Sequence, residues 1–304
     1  MQRRCVSFLD ATSGAAYLRS QVRVELSSAY NRKVHPSMAL EQSIHDTWET
    51  KLAANPQLFN GTKFRLSEFA ATPTELHMKW GLTDYKTYLG LCSRCDVVST
   101  LGTPTHPDVS MYLSNKIGVA AALVTADDKL CFLKRSATVG AYPNLLDVPG
   151  GHPEPTHIDI DWRSLPTVPD GATNDRCVDE FFDSITTEIC EEVNVPLATL
   201  SPPRLLGVTM QGKAATPSFA FLVQCSLDAA AVAGCYDQGP VDQYEATKLI
   251  FQSTQNVVNS WRSVLDVVAD AKLILYRPRS VGLTPSAAGC IELLGRYLEY
   301  DHVA

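Results

Sequence analysis

Three glutamates, Glu188, Glu191 and Glu192, stand three and four residues apart in the segment VDEFFDSITTEICEEVNV, which has a helical hydrophobic period. At roughly 100° per residue, Phe182, Ile185, Ile189 and Val193 fall in one narrow apolar arc. The three glutamates fall in a second arc beside it. Like charges one turn apart repel, at about 0.2–0.5 kcal/mol per pair, and the negative end of the helix dipole adds to the cost. A hard divalent cation reverses that sign, because Mg²⁺ prefers carboxylate oxygen. Glutamate-rich faces are also ordinary on solvated helices, so the trio alone leaves the choice open.

Upstream lies Asp147-Val148-Pro149-Gly150-Gly151-His152-Pro153-Glu154. A short apolar run feeds a di-glycine loop, where backbone N–H groups can approach an anion closely. A loop of this kind beside a carboxylate helix can hold a pyrophosphate together with its metals.

The two segments together resemble the signature of the Nudix hydrolases, G-x5-E-x7-R-E-U-x-E-E-x-G-U, where U is a bulky apolar residue. Its second half maps onto TEICEEVNV, residues 187–195, and its first half onto Gly151-His152-Pro153-Glu154. An insertion near 156–177, rich in Pro, Asp and Thr, separates them. WETKLAANPQLF, KFRL, GLTDYKTYLG, VAAALVTADDKLCFLKRS, DVPGGHPEP, EICEEVNVP and TQNV are further similar to the branch of that family that cleaves UDP-sugars. This resemblance runs from about residue 45 to 260.

The departures are specific. Thr187 stands where the signature has Arg, which in the family helps to orient the carboxylates. Asn194 stands where it has Gly; Asn tolerates the left-handed conformation that ends a helix, and Pro196 follows as a stop. The middle Glu has no clear match. Eight residues before Thr187 is Asp179, and its neighbour Glu180 lies two turns from Glu188, too far to share a metal with it, so Glu180 reads as a structural residue or a secondary site candidate.

The resemblance implies metal-dependent hydrolysis of UDP-glucose or UDP-galactose to UMP and sugar 1-phosphate. It implies Glu188, Glu191 and Glu192 as ligands of Mg²⁺ or Mn²⁺, with Glu192 and Glu188 catalytic and Glu192 receiving the proton of the attacking water. Gly150, Gly151, Glu154, Lys134 and Arg135 are the expected substrate contacts. His152 is expected as a loop residue. Tyr85, Tyr88 and Trp80 are expected chiefly as core; they would form a wall for uridine if their segment folds over the site. Other nucleoside diphosphate derivatives (ADP-ribose, coenzyme A, a dinucleotide) and a non-catalytic nucleotide-sugar binder remain alternatives. The signature helix does not choose among substrates.

The elements that must position these residues form an α/β pattern. Helical periods cover 40–54, 84–91, 178–193, 255–268 and 285–300, the last with Thr284 as N-cap and Pro285 at N1. Strand signals cover 63–69, 75–80, 118–125, 129–134, 145–148, 204–210, 219–224, 248–252 and 273–276. Residues 99–108 read as a loop. Strands interleaved with helices predict an α/β/α sandwich on a mixed sheet. The expected division is an N-terminal α+β segment, 1–115, covering the substrate site, and a Nudix-type domain, 116–304.

Composition narrows the partners. Against 33 acidic residues stand 26 Lys and Arg, a net charge of −7, and no run of bases exceeds two; a nucleic-acid backbone would find little to hold. The longest apolar stretch, 117–126, is about half a bilayer span, so no membrane partner is expected. The expected partner is a small nucleotide sugar. Nine cysteines without a secretory signal read as free thiols in a reducing, cytoplasmic setting. The absence of acids before Asp10 leaves a weaker organelle-targeting alternative. Cys92 and Cys95 have metal spacing, but no second pair follows, so they are expected as ordinary thiols.

Overall fold

A computed structural model describes residues 3–8, 16–94, 98, 109–137, 139, 142–242, 244–260 and 282–301. Two apolar runs build its centre. Strand β5 (Gly118–Val124) is buried along most of its length. Its residues alternate between two cores, Val119, Ala121 and Leu123 on one face and Ala120 and Ala122 on the other. Strand β6 (Lys129–Arg135) alternates likewise, with Cys131 and Leu133 facing the first core and Leu130 and Phe132 the second.

The other strands of this mixed sheet are β1 (Arg3–Ser7), β7 (Leu146–Asp147), β8 (Gly150–Gly151), β9 (Arg204–Gln211), β10 (Thr216–Gln224) and β11 (Ala246–Ser253). The order is β1-β9-β10-β5-β6-β11, with β7 on β6 and β8 on β5. Only the β10–β5 pair is parallel among these pairings. A second sheet has three strands, β2 (Val22–Leu26), β3 (Thr62–Ala71) and β4 (Leu76–Asp84), in the order β2-β4-β3. Helix α1 (Met38–Ala54) lies between β2 and β3 in chain order.

Helix α2 (Gly171–Val193) covers the first face. Phe181, Phe182, Ile185, Ile189 and Val193 are buried there, each contributing about 1.5–3 kcal/mol relative to exposure. Phe181 meets Trp80 edge-on, with ring centroids 5.6 Å apart, so the second sheet shares this core. Helix α3 (Ala229–Asp237) lies between β10 and β11 in sequence, and α4 (Pro285–Asp301) covers the opposite face through Ala287, Ala288, Ile291 and Leu294. Helices on both faces of a mixed sheet give the expected α/β/α sandwich.

Several boundaries differ from expectation. The N-terminal segment crosses the division expected at residue 115, because β1 pairs with β9 in the larger sheet. Helix α2 begins at Gly171, not 178, with the Asp170 carboxylate accepting from Thr173 N at 2.9 Å as its N-cap. The last part of the expected insertion is thus helical, and its earlier part buries Ile158, Ile160 and Leu165. Residues 84–91 form one helical turn, Tyr85–Thr87, that continues as a π-helical turn, Tyr88–Cys92. Asn194 ends α2 at φ 63° and ψ 25°, the left-handed conformation read from its sequence. The expected loop 99–108, strand 273–276, the far part of the helix expected at 255–268 and Cys95 lie outside the described residues; 254–260 is helical. Among the described residues no helix is long and apolar enough to cross a membrane.

Candidate active site

The last turn of α2 faces β8, and the backbone of that short strand holds its carboxylates. Gly150 N donates to Glu192 Oε2 at 2.9 Å, and His152 N donates to Glu188 Oε1 at 3.2 Å. These two amides fix the direction of both carboxylates. Thr187 itself is exposed on another side of α2, in a groove shared with Arg19. Arg19 pairs there with Asp183 and, at 2.7 Å, with Asp179. Glu180 is buried and accepts from Glu154 N at 2.7 Å and contacts His157 Nδ1 at 3.1 Å, which fastens the 152–158 segment to α2 in the structural role expected for it.

The glutamates do not form one equivalent trio. Glu192 is 7% exposed, whereas Glu188 and Glu191 are half-buried. Ligand oxygens of Glu188, Glu191 and Asp242 lie within 4.8 Å of one another, close enough to share a cation. Asp242 comes from the loop after α3, which is tied to the helix end by Asp242 N donating to Glu191 O at 3.2 Å. Burial raises the Glu188 carboxyl to about 7, reinforced by Glu191, Asp242 and Glu245. Burial drives Glu192 well above the ordinary carboxylate range, reinforced by Glu188, Asp147 and Glu245. A set of desolvated, mutually repelling, hard oxygen donors is the chemistry that a divalent cation satisfies.

Glu188, Glu192 and Asp242 open onto a cavity of ≈ 310 Å³, whose lining also includes Glu245, Arg135 and Tyr88, whereas Glu191 lines the neighbouring groove with Arg19 and Thr187. Arg135 is brought to it, anchored by its Nη1 donating to Asp147 Oδ2 at 3.1 Å. Asp147 is held in turn by Thr284 Oγ1 at 2.5 Å and Val148 N at 3.0 Å, while burial raises its pKa. Lys134 is not brought there. Successive residues of a strand point to opposite faces, and its amine donates to Asn144 O on the outside. Glu154 is also absent from the lining and pairs with Lys63. Gly150 and Gly151 line the cavity, but the Gly150 N–H is committed to Glu192, so it orients a carboxylate instead of meeting phosphate.

Both glycines are required by close approach. A Cβ on Gly150 would lie 2.4 Å from Val119 O, against β5 backbone, whereas one on Gly151 would lie 1.7 Å from Glu188 Oε1. The two substitutions should therefore separate. Gly151→Ala displaces the end of one side chain and lowers kcat by about 10²-fold with little change in Tm. Gly150→Ala must move the sheet and costs about 1–3 kcal/mol. Thermal melts beside steady-state rates check this; equal effects of the two on both readouts would refute it.

Of the aromatic candidates, Trp80 is core, at 0% exposure. Tyr88 lines the cavity, with Tyr85 stacked behind it at 6.1 Å. His152 is half-buried, and desolvation together with Lys116 and Lys63 pulls its pKa well below the ordinary imidazole value. Sequence reasoning missed Lys116, Asp242, Glu245 and Tyr142 on the cavity wall. Asp242 and Glu245 share the spacing D-x-x-E after Gly239-Pro240, a signal too short to stand out.

No family model matches the chain. Among curated proteins, it is similar to uridine diphosphate glucose pyrophosphatase NUDT22 of Homo sapiens, at 36% identity over 96% of this chain and 92% of that one. The Bos taurus protein of the same name is 41% identical over 78% of this chain and 83% of its own. Nudix hydrolase 9 of Arabidopsis thaliana is 32% identical over 76% and 77%. Among solved structures, the MutT protein of Methanosarcina mazei Go1 aligns at 12% identity and a TM-score of 0.33, covering 62% of this chain and 93% of that one. With relatives of this identity matched over most of both chains, and with the signature helix and di-glycine segment meeting at one cavity, the chain belongs to the Nudix hydrolase family.

Proposed function

We propose that this chain hydrolyses the diphosphate of UDP-sugars, UDP-glucose and UDP-galactose, to UMP and sugar 1-phosphate, with Mg²⁺ or Mn²⁺ as cofactor. The observation that carries the reading is the convergence of Glu188, Glu191 and Asp242 beside buried Glu192, at a cavity that also holds Arg135 and an aromatic side chain. The names of its mammalian relatives support the choice of substrate.

Glu188, Glu191 and Asp242 would hold the cation, with Glu192 beside them. When bound, divalent metal supplies charge neutralisation on the phosphate oxygens and makes water more acidic. Glu192, anchored by Gly150 N, receives the proton of the water that attacks phosphorus. Arg135, braced on Asp147, brings its positive charge to the diphosphate. Tyr88, from the segment 1–115, supplies part of the apolar wall against which the nucleotide lies, so that segment covers the site as well as completing the sheets. The described cysteines are free thiols, which suits a reducing compartment such as the cytoplasm.

A substrate panel tests the reading. UDP-glucose, UDP-galactose, ADP-ribose and coenzyme A are incubated with the chain in Mg²⁺ or EDTA. Release of UMP from the UDP-sugars, abolished by EDTA, is expected. Preferential cleavage of ADP-ribose would end the UDP-sugar assignment. Binding of UDP-glucose without UMP release under any divalent metal would favour a non-catalytic binder, the reading that Thr187 supports.

A further inference from the structure

The cavity contains a buried cation for which sequence reasoning assigned no role. Lys116 precedes β5 and is 9% exposed, yet it lines the cavity on the side of Tyr88 and His152. Its position is built from the backbone outward. Residues 115–117 run along the edge of β3: Leu66 N donates to Asn115 O at 3.0 Å and Ile117 N to Phe64 O at 2.9 Å, and Lys116 forms a β-bridge with Arg65. The buried Arg65 guanidinium then staples the preceding segment, donating to Leu113 O at 3.1 Å and to Tyr30 O and Ser110 O at 2.8 Å each. The lysine is thus mounted on a rigid seam between the two sheets.

An ammonium has three donors. One goes to His152 Nε2, and the Tyr88 ring lies 4.5 Å from Nζ. Among the described residues no carboxylate pairs with it. The groups that act on it with the opposite sign are the buried Cys92 thiol and Glu154, and Glu154 is already paired to Lys63. Burial, with Lys63 nearby, pulls its pKa down to about 7. A desolvated cation with a spare donor and no counter-ion is unfavourable in the free protein. The same cavity is lined by Glu188 and Asp242 of the candidate metal centre, so an anion that fills it must carry enough negative charge for both cation sites.

We propose that Lys116 is a diphosphate-binding residue, whose ammonium donates to a non-bridging oxygen of the phosphate group lying between the metal-binding carboxylates and Tyr88. This rests on the hydrolase reading for the presence of a diphosphate, not for the identity of the sugar or base. It also assigns a purpose to His152. On the same segment whose N–H holds Glu188, the His152 ring lies against the ammonium through Nε2 and fixes its direction. The cation that sequence reasoning sought at Lys134 is supplied by Lys116 from the seam along β3.

The test compares the full-length parent chain with Lys116→Met and Lys116→Gln in two readouts. In thermal melts without divalent metal, inorganic pyrophosphate should raise Tm of the parent by a few degrees and leave both variants unmoved. Without pyrophosphate, Tm of Lys116→Met should equal or exceed that of the parent, since a group held for binding contributes nothing to the free fold. In turnover of UDP-glucose with Mg²⁺, kcat/KM of both variants should fall about 10- to 100-fold, the loss of one charge-assisted hydrogen bond. A pyrophosphate response that survives in the variants, no response in the parent, or kcat/KM within twofold of the parent would overturn the proposal. So would a Tm loss of many degrees in both variants, which would mark a structural lysine. A parent that responds to pyrophosphate through Lys116 but leaves UDP-glucose intact would remove the substrate assignment alone.

Discussion

Glu192→Gln should lower kcat by about 10²- to 10⁴-fold, the usual contribution of a positioned proton acceptor, and leave the fold intact. The two halves of this expectation have separate causes. Glu192 is 7% exposed, and burial pushes its carboxyl well above the ordinary range, so a neutral side chain costs the metal-free fold less at this position than a charged one. Glutamine has the same shape and no charge, and its amide oxygen can still accept from Gly150 N at the place where Oε2 stands 2.9 Å away. The variant should melt at or above the parent's temperature. Its loss is chemical: an amide neither takes a proton from water nor presents an anion to the cation beside it. Steady-state kinetics with a parallel melt decide the matter. Near-parental turnover in a folded Glu192→Gln chain would mean that another group accepts the proton.

Metal removal should produce the second large effect, and pH should tune it. Glu188 rises to about 7 in the folded chain against an ordinary value near 4.5. Between those two values the folded state therefore binds more protons than the unfolded one, and stability falls as pH rises. Glu192 is shifted in the same direction and adds to the slope. In EDTA, Tm should decline from about pH 4.5 to about pH 7. Bound Mg²⁺ favours the ionised carboxylates, so the gain in Tm on adding it should grow across the same window. At a hundred times its dissociation constant it would contribute about 2.7 kcal/mol, or several degrees for a chain of this size. Activity should vanish in EDTA throughout. Melts at pH 5, 6, 7 and 8 with EDTA or Mg²⁺ provide the check, and a metal-induced shift that ignores pH would show that these carboxylates are not the ligands.

Most of the fold was legible because its signals are local and periodic. The alternation of β5 and β6, the apolar arc of α2, the Asn194 stop and the Thr284-Pro285 start all depend on residues within one or two turns of each other. The missed elements lack such signals. Strand β1 acquires its place only through pairing with β9, about 200 residues away, and α3 is a run of small residues with little amphipathic contrast. The extra turns of α2 were hidden by a Pro-, Asp- and Thr-rich approach that ends in an Asp170 cap.

The candidate site divides along the same line. Glu188, Glu191 and Glu192 announced themselves because like charges one helical turn apart are locally unfavourable and call for a compensating cation. Their separate roles did not. Glu192 is the buried one because its side of α2 meets Gly150, and Asp242 joins Glu188 and Glu191 because a loop 50 residues downstream folds back on the helix end. Whether a lysine or arginine faces the cavity was equally undecided: Lys134 and Arg135 are neighbours, yet strand alternation sends only Arg135 inward, and Lys116 enters from a seam between two sheets. The sequence by itself determined that hard oxygen donors would gather on one helix, since spacing along a helix is set by the backbone. Which further groups converge on them, and which are desolvated enough to have altered acidity, is set by packing between distant segments, and that only the tertiary structure decided.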